Sequence, residues 1–186
     1  MRAVPVSRYV AFAAIVLLGC GADLASKWWV FGKLGMPGGP TWWIWDGVLG
    51  LQTSLNSGAL FGMGPGWGWL FAALSMVAVA AILYWLFCAG AARDWLLSAA
   101  LAAIAAGILG NLYDRLGLPG LLYDHDTPLH AAGERVYDVR DWILLMIGPY
   151  HWPNFNIADS LLCCGAALLV WHAFWTGRTE PSQAAK

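Results

Sequence analysis

The sequence predicts an all-α integral membrane protein with four transmembrane helices, a small periplasmic β-element and an insertion in one outer loop. The composition favours this class. Of the 186 residues, 60% are hydrophobic and only 11% are charged, whereas a water-soluble domain usually carries about 25% charged residues. The net charge is −1, which gives no argument for a nucleic-acid partner.

Four apolar stretches are long enough to cross a bilayer, which takes about 20 residues. Only residues 91–94 separate the second stretch from the third, so these two should form a tight antiparallel pair. No repeat or low-complexity segment divides the chain, and we expect a single membrane domain over residues 1–186. The four stretches cover about residues 9–31, 67–90, 95–113 and 157–176.

The distribution of basic residues predicts the orientation. Segments 1–8, 91–94 and 178–186 hold five Lys and Arg residues in 21 positions, whereas segments 32–66 and 114–158 hold four in 80. Cytoplasmic segments are enriched in Lys and Arg. Both termini are therefore expected in the cytoplasm of a bacterial cell, with the longer loops outside the inner membrane.

Polar residues are expected to converge near the outer surface, where the first and third helices end and the fourth begins. Ionisable residues at membrane depth usually line a cavity or pair with one another. Asn111 and Asp114 are three residues apart, as are Asn156 and Asp159, so each pair shares a helix face. The sequence therefore predicts a functional site. Its expected members are Asp23, Asn111, Asp114, Arg115, Asn156 and Asp159 from the helices, with Asn56 and Asp138 from the loops.

Two charge pairs are suggested by spacing. Asp23 and Lys27 are four residues apart in the favourable order for an ion pair, which would let Lys27 reach the interface. Asp114 is followed at once by Arg115, an expected charge partner. From composition alone, Asp138 reads as a solvated loop carboxylate.

The first apolar run allows a second interpretation. Residues 17–20, Leu-Leu-Gly-Cys, imitate the lipobox of a bacterial lipoprotein signal peptide, and Cys20 would then be lipidated and the first helix lost. The apolar pattern continues to Phe31, which favours a helix that stays. All four cysteines lie in apolar runs without the spacing of a zinc or redox site, and we interpret them as buried apolar residues.

Five short motifs occur in order along the chain. They are Asp23-x-x-x-Lys27, Asn56–Phe61, Gly110–Arg115, Val136–Val139 and Phe155–Ser160. Together they resemble the lipoprotein signal peptidases, the signal peptidase II family of membrane aspartyl proteases, over about residues 9–176. Two motifs reproduce the family patterns G-N-x-x-D-R and F-N-x-A-D-S, and Val136–Val139 is similar to the family's V-V-D-F. Leu60 departs from the family's N-x-G-A-A-F pattern, where a second alanine is usual.

The resemblance implies a catalytic pair of aspartates, Asp138 and Asp159, and requires no metal or organic cofactor. Asp141, three residues after Asp138, is the alternative member, and Val136 at the preceding motif position favours Asp138. Two nearby carboxylates share one proton, so one can activate water while the other polarises the scissile carbonyl. The substrate-binding and supporting residues implied are Asp23, Lys27, Asn56, Gly58, Asn111, Asp114, Arg115, Asn156 and Ala158.

The resemblance also implies the partners. The expected substrates are prolipoproteins whose cysteine carries diacylglycerol, cut just before that cysteine at the outer face of the membrane. Membrane lipid is the second partner, and inhibition by cyclic peptide antibiotics of the globomycin type is implied. The alternative is a non-catalytic membrane transporter or binding homologue that uses the same carboxylates.

Residues 116–135 are an insertion relative to the family, which usually has a short connection here. A solvated loop over the outer rim is the favoured interpretation, because glycine and proline recur in it. A metal site is the alternative, and its ligands would come from Asp124, His125, Asp126 and His130.

Overall fold

The computed structural model describes residues 3–58 and 64–179. Four helices in it are long and apolar enough to cross a membrane, and four strands form one sheet. The helices are α1 (Val6–Leu34), α2 (Gly68–Leu83), α3 (Trp95–Arg115) and α4 (Ile157–Thr179). The strands are β1 (Trp42–Trp45), β2 (Leu49–Asn56), β3 (Val139–Ile147) and β4 (Tyr150–Phe155).

The four-stranded sheet agrees with the expected small β-element, whereas the description of the protein as all-α was too narrow. Its strands run antiparallel in the order β1-β2-β3-β4, so every neighbour in space is also a neighbour in sequence. The register shifts between Leu51 and Ser54 on β2, and again between Ile143 and Leu145 on β3. Such irregularities bend a strand and increase its twist.

Helix α1 is longer than the apolar run that predicted it. It begins after Pro5, whose fixed φ suits the start of a helix. It ends at Gly35, which has a φ of +77° and donates its N–H to the Phe31 carbonyl at 3.0 Å. Asp23, Lys27 and Val30 are all buried, and this three-to-four-residue spacing places them on one face.

The second and third helices form the expected antiparallel pair. Helix α2 continues as a π-helical turn over Tyr84–Cys88, and Gly90 then adopts a φ of +83° in the tight connection. Asp94 caps α3 by accepting a hydrogen bond of 2.9 Å from the Leu97 N–H. In α3, 56% of the membrane-length window is buried, against 11% or less in the other helices, so α3 is the centre of the bundle.

Glycines let α4 approach α3 closely. A Cβ on Gly107 would lie 2.4 Å from the Ala158 carbonyl oxygen, and one on Gly165 would lie 2.8 Å from the Ala100 carbonyl oxygen. A Cβ on Gly110 would lie 2.5 Å from Asp23 Oδ2. Small residues bring helix backbones together in this way where lipid surrounds the bundle. They hold α1, α3 and α4 at the spacing that the polar site requires.

The sheet lies at one end of the bundle, which we call the sheet end. The C-terminal ends of α1 and α3 and the N-terminal end of α4 meet there, and β2 and β3 contact α1 while β3 also contacts α3. The insertion, residues 116–135, also lies there, closed by a β-bridge between Leu122 and Arg135. The ends of α1, α3 and α4 therefore meet next to the sheet, in the arrangement that the positions of the polar residues in the sequence predicted.

Candidate active site

A buried ion network lies beneath the sheet. Lys27 Nζ lies 2.7 Å from Asp23 Oδ2 and 2.9 Å from Asp114 Oδ2, and all three side chains have no exposed surface. Arg140 Nε, on β3, lies 2.8 Å from Asp114 Oδ1. Two cations thus face two carboxylates, which balances charges that would be costly to bury alone.

This network differs from the pairs that spacing suggested. Asp114 pairs with Lys27 and Arg140, whereas the Arg115 guanidinium donates to the Gly58 carbonyl at 3.1 Å. Adjacent residues on a helix do not face each other, so Asp114 and Arg115 point to different neighbours. Lys27 does contact Asp23, but it is wholly buried and does not extend to the interface.

Two asparagines connect the ion network to Asp159. The side-chain oxygen of Asn111 accepts hydrogen bonds from Lys27 Nζ at 3.0 Å and from Asn156 Nδ2 at 3.1 Å. With its oxygen held there, Asn111 turns its Nδ2 towards Asp159 Oδ1, 2.8 Å away. The buried charge of Lys27 therefore fixes which end of the Asn111 amide faces the carboxylate.

Asp159 is fixed at the beginning of α4 by a reciprocal pair of hydrogen bonds. Its Oδ2 accepts from the Asn156 backbone N–H at 3.1 Å, and its own N–H donates to Asn156 Oδ1 at 2.9 Å. This is the geometry of a capping box. Between them, the Ala158 N–H donates to Asp23 Oδ1 at 2.9 Å, and Ala158 is fully buried. The first turn of α4 is thereby joined to α1.

Asp141 on β3 is the second carboxylate of this cluster. Its Oδ1 accepts from Asn156 Nδ2 at 2.6 Å, and its Oδ2 accepts from Asn56 Nδ2 at 3.3 Å. The residue is only 2% exposed. Burial, and next the negative charge of Asp159, raise the pKa of Asp141 to about 8. Asp141 therefore holds a proton at neutral pH, as one member of a proton-sharing pair must.

Asp138 lies outside this cluster, unlike the expectation from the sequence. Its Oδ2 accepts a hydrogen bond of 2.7 Å from the Tyr123 hydroxyl of the insertion, and it precedes β3. The cleft that contains Asp159 is lined by Asp141 and not by Asp138. The structure thus brings Asp141, and not Asp138, next to Asp159.

A signal for Asp141 was present in the sequence. Val139-Arg140-Asp141-Trp142 also has the form valine, any residue, aspartate, aromatic. The family's V-V-D-F segment ends on an aromatic residue, and Trp142 follows Asp141 whereas Val139 follows Asp138. The insertion just upstream made it unclear from the sequence whether Asp138 or Asp141, three residues apart, matches the aspartate of the family segment.

The loop after β2 contributes the next set of contacts. Asn56 Oδ1 accepts from the Gly58 N–H at 3.0 Å, and the Arg115 guanidinium reaches the Gly58 carbonyl from α3. Asn56 and Arg115 both line the cleft. The rest of this motif, residues 59–61, lies outside the described residues.

The two carboxylates line a cleft of about 960 Å³. One end is bounded by polar residues of the sheet, where Asn154 Nδ2 donates to the Gln52 carbonyl at 2.9 Å. The other end is apolar and runs between α2, α3 and α4. A polar half and an apolar half of the cleft therefore meet at the carboxylates. The apolar lining includes Phe71, Leu74, Ala78, Ile108 and Leu162.

The polar residues of the insertion make separate local contacts. His125 Nδ1 lies 2.5 Å from Asp124 Oδ1, while Asp126 Oδ1 accepts from the Ala132 N–H at 2.8 Å. His130 stacks on Tyr123, with ring centroids 4.6 Å apart. Each group thus has its own neighbour near the surface.

The chain is similar to known proteins in both sequence and fold. A sequence profile of the family described as signal peptidase (SPase) II matches residues 15–175. A lipoprotein signal peptidase of Rhodopirellula baltica is 45% identical over 92% of this chain and 75% of that protein. One of Polynucleobacter necessarius is 36% identical over 92% and 91%. A solved bacterial membrane enzyme has the same fold, with a TM-score of 0.72 and 22% identity over 100% of this chain and 98% of that one. The profile and these relatives span most of the sequence, and the chain therefore belongs to the signal peptidase II family.

Proposed function

We propose that this protein is an aspartyl endopeptidase that removes the signal peptide from diacylglyceryl-modified prolipoproteins, with Asp141 and Asp159 as its catalytic pair. Family membership supports the reaction, since its relatives are named lipoprotein signal peptidases. The cut falls before the lipidated cysteine. Asp141 replaces Asp138 in the pair that the sequence suggested.

One observation carries the choice of the pair. Asn156 touches both carboxylates, with its side-chain amide 2.6 Å from Asp141 Oδ1 and its backbone N–H 3.1 Å from Asp159 Oδ2. The same residue therefore sets the position of both groups at the wall of one cleft. Tyr123, not Asn156, is the partner of Asp138.

The proton positions suit hydrolysis of a peptide bond. Asp159 acts as the general base and takes a proton from the attacking water. Asp141, protonated at neutral pH because its pKa is raised to about 8, donates a hydrogen bond to the scissile carbonyl. The tetrahedral intermediate then collapses when the leaving nitrogen takes a proton from Asp159, and the pair returns to its starting state. Asn111 and Asn156 hold the carboxylates throughout.

The two halves of the cleft suit the two parts of the substrate. The apolar half between α2, α3 and α4 accommodates hydrocarbon, while the sheet side admits water to the peptide bond. We place the sheet end at the outer face of the inner membrane, with both termini in the cytoplasm, because Lys and Arg are denser in the segments at the other end. A reporter fused after Lys186 should be protected in intact cells, and one inserted in residues 116–135 should be accessible. The reverse result would place the cleft at the cytoplasmic face.

The direct test is cleavage by the purified protein. A prolipoprotein carrying diacylglycerol on its cysteine should lose its signal peptide in a gel-shift assay, and the unlipidated precursor is the matched control. Binding without turnover by a folded protein would favour the alternative, a non-catalytic transporter or binding homologue. A cyclic peptide of the globomycin type should block turnover, because it would compete for the cleft.

A further inference from the structure

A second cavity, of about 590 Å³, lies at the sheet end and is separate from the catalytic cleft. It is bounded by the last turns of α1, by the insertion and by Arg140, and we call it the α1 cavity. Its lining is mostly apolar, with Arg140 as the only charged member and Tyr113 adding a phenol, and Trp28 on its rim is 76% exposed. The lining includes Leu24, Trp28, Phe31, Met36, Leu121 and Arg140.

Arg140 is the unusual member of this lining. Its side chain is only 6% exposed, although an arginine is rarely buried in an apolar wall without a full set of acceptors. Its Nε lies against Asp114, and its guanidinium carbon lies 5.9 Å from the centre of the Phe31 ring. Within residues 3–58 and 64–179, the two terminal nitrogens of Arg140 donate no hydrogen bond, so four of its five N–H groups remain available.

The four charges of the buried network balance, but Arg140 shares its carboxylate with Lys27. Asp114 is shared, since its Oδ2 faces Lys27 and its Oδ1 faces Arg140. Among the residues that the structure describes, Arg140 therefore has no carboxylate to itself. A planar guanidinium with free N–H groups matches the oxygens of a phosphate.

We propose that the α1 cavity binds an anionic phospholipid from the leaflet at the sheet end, with its phosphate on Arg140 and an acyl chain along α1. The occupant follows from the position of the cavity. Its wall is the last third of α1, a membrane-length helix, and the exposed Trp28 lies on its rim, where membrane lipid would reach it. A basic pocket between membrane helices is a recognised form of lipid headgroup site.

Arg140 directly precedes Asp141, a member of the proposed catalytic pair, on β3. Arg140 binds Asp114 through both its backbone N–H, at 3.2 Å, and its side chain. Asp141 follows it directly and turns to the opposite side, into the cleft, as successive residues of a strand do. Lipid bound in the α1 cavity would therefore contact β3 on the face opposite the cleft, and it would not enter the cleft.

The chain offers a matched pair of variants for the test. A Cβ on Gly32, which lines the α1 cavity, would meet no atom within 4 Å, and the same is true of Gly21, which does not line it. Gly32→Leu fills the cavity without touching the ion network, and Gly21→Leu makes the same change on the same helix elsewhere. Leu121→Glu places a carboxylate in the cavity to occupy Arg140, and Leu121→Gln is its neutral control.

Each protein is reconstituted in vesicles of equal phosphatidylglycerol and phosphatidylcholine, extracted in detergent and examined by native mass spectrometry. The parent and Gly21→Leu should each retain one phosphatidylglycerol in preference to phosphatidylcholine. Gly32→Leu should retain about tenfold less, which corresponds to one decade in Kd. Leu121→Glu should lose it and Leu121→Gln should keep it. Equal retention of the two lipids by the parent, or undiminished retention by Gly32→Leu or Leu121→Glu, would overturn the proposal.

Discussion

The side-chain amide of Asn156 lies 2.6 Å from Asp141 and is the link between the β-sheet and the helix that carries the other carboxylate. Asn156 is fully buried and also bonds Asn111. Since Asn111 is held by Lys27, the positions of both acidic groups depend on a chain of buried polar contacts that begins on α1. The site is therefore assembled from α1, α3, α4 and the sheet together.

The first prediction concerns the catalytic pair. Asp141→Asn and Asp159→Asn should each reduce cleavage by about 10⁴-fold or more, because each keeps the shape of the side chain but removes its proton exchange. Both proteins should remain folded and membrane-inserted. The measurement is turnover of a diacylglyceryl-modified prolipoprotein, with thermal unfolding as the check on folding.

Asp138→Asn is the matched control, since it makes the same change three residues away and outside the cleft. It should cleave at close to the parental rate. An inactive Asp138→Asn together with an active Asp141→Asn would restore the pair suggested by the sequence and refute the pair proposed from the structure.

The second prediction concerns pH. Cleavage requires protonated Asp141, whose pKa is raised to about 8, so the rate should fall as the pH rises through about 8. The hydrogen bond from Asn56 lowers the pKa of Asp141, and Asn56→Ala should therefore move this alkaline limb to higher pH. A pH–rate profile of both proteins tests this, and a limb that stays in place in Asn56→Ala would contradict the assignment to Asp141.

The same shift has a consequence for stability. The pKa of Asp141 rises from 3.8 to about 8 on folding, so the native state binds the proton more tightly than the unfolded state. The free energy of unfolding should therefore decrease as the pH rises from about 4 to about 8, and this contribution should level off above pH 8. Asp141→Asn should lack that part of the pH dependence, which thermal unfolding across the range would reveal.

Much of the architecture could be predicted because it depends on local pattern. The four membrane-length helices follow from hydropathy, and the geometry of Asn156 and Asp159 follows from three-residue spacing at a helix start. For the choice between Asp138 and Asp141 the local pattern offers only the aromatic Trp142 after Asp141, which does not settle it. The choice depends on how β3 pairs with β2 and on Tyr123 holding Asp138, which are contacts between distant segments. The burial of Lys27 likewise depends on Asp114 from another helix.

The third prediction concerns that buried lysine. Lys27→Met removes the cation that faces Asp23 and Asp114, and should lower the free energy of unfolding by about 3–5 kcal/mol, because a buried charge loses its partner. Lys33→Met, on the exposed last turn of the same helix, is the control and should change it by less than about 0.5 kcal/mol. Thermal or denaturant unfolding in detergent measures both. Equal effects would mean that the network does not stabilise the fold.

The fourth prediction concerns the close contact of α3 with α4. In Gly107→Ala the added Cβ would lie 2.4 Å from the Ala158 carbonyl oxygen, so the helices must separate. The free energy of unfolding should fall by about 1–3 kcal/mol, and turnover should fall too, since Asp159 moves with α4. Gly21→Ala adds the same methyl group where nothing lies within 4 Å and should not destabilise the protein. A stable, fully active Gly107→Ala would show that the contact is not tight.

The last prediction concerns the insertion. Tyr123 is anchored in it, with its N–H donating to the Glu134 carbonyl at 2.9 Å and its hydroxyl donating to Asp138. Burial, and next the hydrogen bond to Asp138, raise the pKa of Tyr123, so the hydroxyl stays protonated and remains a donor. Because Asp138 lies outside the cleft, replacing residues 116–135 with a short linker should leave cleavage intact, and shortening a flexible loop changes closure entropy only slowly.

Tyr123→Phe is the finer variant of the same test, because it removes only the hydroxyl. It should cost about 1 kcal/mol of stability for one lost hydrogen bond and leave turnover unchanged. A chelator should also leave the parent active, whereas a metal bound by Asp124, His125, Asp126 or His130 would make the parent sensitive to it and the shortened protein inactive. If Tyr123→Phe alone stopped cleavage, the link from Tyr123 to Asp138 would have to position β3, and with it Asp141, for the reaction.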